Sequence, residues 1–322
     1  MILIITDLKN DAHAQHVSEE LQKLGKNVII YNPALYPLDS ISTMEFKRNQ
    51  YNITLNFNDR KIDLSQVKSI WYRRPGDFKI SNMLRAEEKE WLQKECNNFF
   101  NALWMNLKQS FWVSKPENIR IANFKLFQLR IATEIGFRIP DSIVTNDIKE
   151  AKSFIKHHQD CIIKALSIPI INSKDEVAFI YTHLITEKDK QHLYSIKYGP
   201  SYLQEFVPKK SDIRVTVIGK SIFAAEIDSS IFQESSIDFR KIESYDLPHK
   251  EIKLPNKIKN KCLKMVKRLG LQFGAIDLIL TKKGEYVFLE INPNGQWLWI
   301  EEMTGMPLTK AMCNLLCHTD KI

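Results

Sequence analysis

Two apolar stretches near the end of the chain each carry an acid that a folded core must accommodate: Gly274-Ala275-Ile276-Asp277-Leu278-Ile279 and Phe288-Leu289-Glu290-Ile291-Asn292-Pro293-Asn294-Gly295. Between them lies Lys282-Lys283-Gly284-Glu285, which has good turn chemistry, so residues 274–281 and 285–291 are expected to form a hairpin. An unpaired carboxylate inside an apolar run is costly. Glu290 and Asn292 lie two apart and face the same side of a strand, and the hairpin brings Asp277 beside them. Mg²⁺ takes oxygen ligands in octahedral geometry, usually one or two carboxylates together with substrate phosphates. Asp277, Glu290 and Asn292 are therefore the expected ligands of a magnesium ion that accompanies a nucleotide. Two ordinary strands with a polar end are the plainer alternative.

The chain has 322 residues, 44% hydrophobic and 26% charged, enough for two or three domains with a substantial core. No apolar run reaches the roughly 18 residues of a membrane span, and the opening strand, Met1-Ile2-Leu3-Ile4-Ile5, lacks a basic region before it. A cytoplasmic protein with no membrane partner is expected. That strand, a helix at 11–24 and a strand at 27–31 make a β-α-β start, the usual sign of a parallel sheet. A strand at 65–72 delivers Arg73 and Arg74 at its end, and residues 86–107 form a long helix. Pro116 is a plausible boundary. Beyond it come helices at 122–135 and 147–157, the strand around Lys164, and, from Gln204 onward, mainly strands with a closing helix at 307–317.

The net charge of +8 invites a nucleic-acid reading, but the lysines are scattered. Their densest cluster, residues 255–269, is an amphipathic helix with one buried face formed by Ile258, Cys262, Met265, Val266 and Leu269. No nucleic-acid partner is expected, although a basic surface suits an acidic peptide. The five cysteines have no regular spacing, which argues against a disulfide framework. Cys313 and Cys317, four apart before His318, read as packing residues rather than metal ligands.

The hairpin resembles the metal-binding end of the ATP-grasp fold, and other segments match that family in order. The segment from Asn123 through Lys125 to Ala132 matches its first nucleotide lysine, and Cys161-Ile162-Ile163-Lys164 matches the second. Leu203-Gln204-Glu205-Phe206-Val207-Pro208 matches the hinge that meets adenine. A narrower likeness, to the maturases of microviridin-type peptides (graspetide macrocyclases), rests on residues 208–219 with Asp212 and Arg214, on 223–227, and on Asp238-Phe239-Arg240. It rests also on Trp71-Tyr72-Arg73-Arg74-Pro75 and on residues 139–146. The resemblance implies an α/β (α+β) chain in three parts: a parallel α/β pre-ATP-grasp domain at 1–115, a central lid domain at 116–203, and a C-terminal ATP-grasp domain at 204–322.

It further implies ATP and Mg²⁺ as cofactors. Lys125 and Lys164 would hold the phosphates, and Gln204, Glu205, Phe206 and Val207 would meet the adenine with Lys209 near the ribose or a phosphate. Arg214 and Arg240 would stabilise the transferred group and the tetrahedral intermediate, with Asp212 grouped beside them; a structural pair of Arg214 with Asp212 is the duller reading. Arg73 and Arg74 would bind acidic side chains of the substrate. Neighbours on a strand point oppositely, so one of the two suffices, and an arginine paired within the first domain is the competitor. Trp297 and Trp299 either line an acceptor pocket or pack. The implied activity phosphorylates Asp or Glu side chains of a ribosomal precursor peptide, with a leader and an acidic core. It then joins them to Thr or Ser hydroxyls as ω-esters or to Lys amines as ω-amides. Such enzymes tend to be homodimers. The alternatives are a RimK-like ligase that adds amino acids to a peptide end, and a non-catalytic ATP-binding regulator.

Overall fold

Residues 1–167, 170–172, 177–229, 231, 237 and 246–317 are described by the computed structural model. The chain divides into two units, one of residues 1–119, 270–273 and 307–322, the other of residues 120–269 and 274–306.

In the first unit the apolar runs β1 (Ile2–Ile5), β2 (Val28–Tyr31), β6 (Ser69–Tyr72) and β7 (Phe111–Val113) form a parallel sheet in the order β2-β1-β6-β7. α1 (Ala12–Lys23) is the crossover helix of the expected β-α-β start, burying Ala14, Val17 and Leu21. α2 (Ala86–Met105) turns Cys96, Phe100, Leu103 and Trp104 inward. Phe100 is the hub of that core, its ring 5.2 Å from Tyr36, 5.3 Å from Phe78 and 5.4 Å from Trp104. Burying a side chain of this size contributes up to about 3 kcal/mol. The closing helix Leu308–Cys317 belongs to this unit, where the Ser69 hydroxyl donates to Leu316 O at 2.8 Å. Cys313 is buried there with its thiol 3.7 Å from Val17 O.

Residues 41–63 form an antiparallel sheet for which no pattern was expected: β3 (Ile41–Lys47), β4 (Gln50–Phe57) and β5 (Arg60–Asp63). Its two hairpin turns place Arg48, Asn49, Asn58 and Asp59 at positive φ, between 45° and 65°. A two-residue turn of this kind needs positive φ at both central positions, which asparagine and aspartate tolerate.

The second unit holds two larger antiparallel sheets. One has the order β12-β9-β13-β8, from β8 (Ser142–Thr145), β9 (Cys161–Lys164), β12 (His183–Leu184) and β13 (Ser201–Glu205). A short pair, β10 (Ile170–Asn172) with β11 (Val177–Phe179), stands apart. The other sheet has the order β16-β15-β14-β17-β18, from β14 (Lys209–Ile218), β15 (Ser221–Ile227), β16 (His249–Glu251), β17 (Phe273–Thr281) and β18 (Tyr286–Asn292). The basic helix Asn256–Arg268 buries Cys262, Met265 and Val266, the face expected from its periodicity. The helix expected over 122–135 forms as α4 (Lys125–Ile135), starting after the extended Phe124, and a separate helix, α3 (Pro116–Ala122), precedes it. Among the described residues no helix is long and apolar enough to cross a membrane. The architecture is mixed α/β, as expected.

Candidate active site

β17 and β18 form the expected hairpin, and their register sets Asp277 directly opposite Glu290 and Ala275 opposite Asn292. Opposed residues of an antiparallel pair project from one face, so the two carboxylates and the amide share it. A bulge follows Asp277 in this register; such irregularities re-aim side chains at strand ends. The Asn292 side chain accepts from Asn294 N at 2.9 Å.

Each carboxylate meets a cation. Arg214, on β14 beside β17, donates from Nη1 to Asp277 Oδ1 at 2.7 Å and from Nη2 to Gln296 O at 3.1 Å. Glu290 meets Lys125, Nζ to Oε2 at 3.4 Å, and that ammonium also donates to Ala165 O at 2.8 Å. Lys125 opens α4, and α4 is pinned to β18 by the buried Gln128. Its Nε2 donates to Ile291 O at 2.9 Å while Ile291 N donates to its Oε1 at 3.0 Å. An amide that satisfies both backbone groups of a residue next to Glu290 fixes where the helix, and hence the lysine, stands.

The second lysine lies on β9. Lys164 Nζ is 3.4 Å from Gln204 Oε1, and the fully buried Gln204 donates to the Tyr202 hydroxyl at 2.8 Å and to Ser142 Oγ at 3.0 Å. Burial pushes the Tyr202 phenol up to about 12, so it serves as a neutral hydroxyl. Glu205 Oε2 accepts from Asp141 N at 3.2 Å. At the start of β14 Lys209 Nζ lies 2.5 Å from Asp212 Oδ2, which also accepts from the Ser229 hydroxyl. Burial holds the Asp212 carboxyl above its usual range against the pull of Lys209, and the nearby Asp277 charge acts in the same direction as burial. The duller pairing of Arg214 with Asp212 is not the one formed: Asp212 takes Lys209, and Arg214 takes Asp277.

Lys164, residues 204–207, Lys209, Asp212, Arg214, Asp277 and Glu290 all line one cavity that opens to solvent, with Ile162, Ile279 and Leu289 among its apolar walls. An apolar slot with converging charges is the usual form of a small-molecule site. Among the described residues no three His, Cys, Asp or Glu side chains converge as a metal cage. Two carboxylates and an amide on one face are instead the oxygen set that suits Mg²⁺ bound jointly with phosphates. Arg214 is 7% exposed, and among the described residues its buried Nε has no hydrogen-bond partner, a donor that an anion drawn against the guanidinium would satisfy.

Of the tryptophans, Trp297 is fully buried and packs inside the unit. Trp299 stacks under the Arg214 guanidinium at 6.0 Å with the His249 ring edge-on at 5.1 Å. A Cβ on Gly295 would stand 2.4 Å from Ala275 Cβ and 3.0 Å from Arg214 Nη2, so only glycine fits there. Gly295→Ala is expected to destabilise the unit by about 2 kcal/mol and to displace Arg214, read as a lowered melting temperature together with lost activity.

In the first unit Arg73 is 1% exposed, its Nε 3.4 Å from Asp11 Oδ2, with Trp71 5.9 Å below the guanidinium. Thr6 donates to the same Asp11 carboxylate at 2.8 Å. Burial pulls Arg73 down to about 10, still charged at neutral pH. Arg74 keeps its side chain exposed. Arg240, with Asp238 and Phe239, lies outside the described residues. Gln128, Tyr202, Ser142 and Ser229 were not singled out in the sequence. A glutamine on the buried face of α4 is the one signal among them that periodicity carries.

Residues 1–120 match the MvdD pre-ATP grasp domain and residues 122–316 the RimK-like ATP-grasp domain. The second match covers more than half of the chain, and the protein belongs to the RimK-like ATP-grasp family. A RiPP-associated ATP-grasp ligase of Chryseobacterium gregarium, solved in complex with ADP and a leader and core peptide, is 30% identical. It superposes with a TM-score of 0.92 over 100% of this chain and 97% of that one. The macrocyclase MdnC of Microcystis aeruginosa MRC, bound with precursor peptide MdnA, is 26% identical with a TM-score of 0.86 over 98% of each chain. A probable alpha-L-glutamate ligase of Histophilus somni (strain 2336) is 27% identical over 210 residues, which span 62% of this chain and 64% of that protein.

Proposed function

We propose that this chain is an ATP-dependent macrocyclase of a ribosomal precursor peptide. The observation that carries the reading is the convergence of Lys164, Arg214, Asp277 and Glu290 on one cavity, with Lys125 paired to the Glu290 carboxylate. The end-to-end likeness to a ligase solved with ADP and a leader and core peptide supports it. The alpha-L-glutamate ligase likeness reflects the shared grasp and covers less of either chain.

A carboxylate resists nucleophiles because its charge opposes attack. In the proposed reaction an Asp or Glu side-chain oxygen of the peptide takes the γ-phosphoryl group, and ADP leaves. A Thr or Ser hydroxyl, or a Lys amine, then attacks the carbonyl carbon of the acyl phosphate and phosphate departs, so each ring costs the peptide one water. Lys125 and Lys164 hold the α and β phosphate oxygens, residues 204–207 border the adenine, and Lys209 stands near the ribose or a phosphate. Arg214 faces the transferred group and the tetrahedral oxyanion through its unfilled Nε, where a preorganised donor counts most; Arg240 is proposed for the same work. Asp212 keeps Lys209 in place. Mg²⁺, held by Asp277, Glu290 and Asn292 when bound, supplies positive charge against the phosphates. Arg74 is the exposed arginine offered to acidic side chains of the peptide, and Arg73 anchors its strand end through Asp11. Residues 116–203 and 204–322 flank the nucleotide in this reading, and residues 1–115 serve the peptide. A homodimer in the cytoplasm is proposed as the working form.

The test is mass spectrometry of a short, acidic, Thr-containing reading frame adjacent to the gene, co-expressed with this protein or with Glu290→Gln. Successive losses of water that need the intact Glu290 are the expected result, and mild base then separates esters from amides. A mass gain of whole amino acids would replace the macrocyclase by a RimK-like ligase. An unmodified peptide would overturn the reading.

A further inference from the structure

α4 and β8 leave a groove between them that the nucleotide chemistry does not use. One wall is Leu126, Leu129, Arg130 and Thr133 of the helix, and the other is residues 139–144 of the chain entering and forming β8. β8 is the end strand of its sheet and, among the described residues, pairs with β13 alone. Backbone groups of an antiparallel strand alternate between its two sides, so half of those in β8 face away from β13 and, among the described residues, meet no other strand. Leu126, a lining residue, is 47% exposed, and Ile121 and Phe124, just before it in the chain, are 43% and 62% exposed. Three large apolar side chains in the open within six residues mark an interaction surface. Arg130 is already engaged by Glu134 and lies over the Phe127 ring at 4.9 Å. Leu126, Leu129, Ile139, Pro140, Ile143 and Val144 give the groove apolar surface beside the polar Thr133, Asp141 and Ser142, and the Asp141 carboxylate disfavours an acidic side chain there. Pro140 is a wall of both this groove and the nucleotide cavity, and Lys125, which reaches Glu290, sits between Phe124 and Leu126.

We propose that this groove binds an extended segment of the substrate peptide, added to β8 as a further strand, with apolar side chains at alternate positions lying against Leu126, Leu129 and Ile143. Strand addition draws affinity from main-chain hydrogen bonds and selectivity from pockets for alternate residues. The four residues of β8 span about 13 Å at roughly 3.3 Å per residue, room for two such side chains. The identity of the occupant rests on the peptide-ligase reading; the groove's chemistry does not. It would hold an apolar stretch of the peptide beside the cavity while the acidic residues are processed.

Two substitutions test it without touching the groups assigned to the nucleotide: Thr133→Trp, which fills the groove from an exposed helix position, and Leu126→Glu, which places a charge on its apolar rim. The probe is a fluorescein-labelled peptide of seven alternating valines and threonines with lysine ends, titrated into the full-length protein by fluorescence anisotropy. Saturable binding to the unsubstituted protein, weakened at least tenfold in both variants with ADP affinity within twofold, is the expected result. No saturable binding, or undiminished binding by Thr133→Trp, overturns the groove. With the precursor peptide, both variants are expected to raise KM at least tenfold and to spare kcat. Unchanged KM in a protein that still removes water would discard the groove and keep the ligase. If the unsubstituted protein removes no water, the ligase reading falls and the anisotropy titration decides the groove.

Discussion

Glu290→Gln is expected to abolish turnover and to leave a folded protein. The substitution keeps the shape of the side chain and removes the charge that β18 presents opposite Asp277. Lys125 keeps its bond to Ala165 O at 2.8 Å, and the Lys125–Glu290 contact, 3.4 Å long between partly exposed groups, contributes no more than about 1 kcal/mol. Activity should fall by about 10³-fold or more, some 4 kcal/mol of barrier, because a carboxylate ligand to the nucleotide's metal is lost. Asp277→Asn gives the same inactivity by a different energetic route. Asp277 also neutralises Arg214, whose side chain is 8% exposed, and breaking a buried pair from one side costs about 3–5 kcal/mol. Single-turnover ADP release and thermal unfolding of the two variants therefore separate the roles: both inactive, only Asp277→Asn markedly less stable. A Glu290→Gln protein that retained a tenth of its activity would remove Glu290 from the metal set.

Those two acids were legible because the information is local. Strand parity, a four-residue turn and the cost of a carboxylate in an apolar run suffice to bring Asp277 to Glu290. The partner of Arg214 was not legible for the opposite reason. Asp212 is its neighbour in sequence, whereas Asp277 reaches it only because β17 lies against β14 in the sheet, an order that no local pattern records. Gln128 was passed over because its two bonds to Ile291 cross 163 residues. For Arg73 and Arg74, alternation showed that they diverge, but which one turns inward depends on Asp11 standing above the end of β6. The sheet at 41–63 was missed because its turns use Arg48-Asn49 and Asn58-Asp59 at positive φ, without the glycine that usually announces such hairpins.

Arg214→Lys is expected to keep the fold and lose most of the chemistry. The charge beside Asp277 survives, so the buried pair is not broken from one side, and an ammonium can still reach a single acceptor. What disappears is the planar fork, which spans Asp277 Oδ1 at 2.7 Å and Gln296 O at 3.1 Å while its buried Nε has no hydrogen-bond partner among the described residues. A lysine has no rigid third donor to aim at a developing oxyanion, and its tip does not stack on Trp299 as the guanidinium does at 6.0 Å. Loss of one preorganised oxyanion donor typically costs 10²–10³ in kcat, so a fall of about that size is expected, with KM for ATP and for the peptide within about threefold. That split is the diagnostic part. An arginine that only bound ground-state phosphate would raise KM for ATP at unchanged kcat, and that outcome would move Arg214 from the reacting carboxyl to the nucleotide. Unchanged kinetics in both parameters would leave the guanidinium as a structural partner of Asp277 alone, and the transferred group would have to be met by residues elsewhere in the chain.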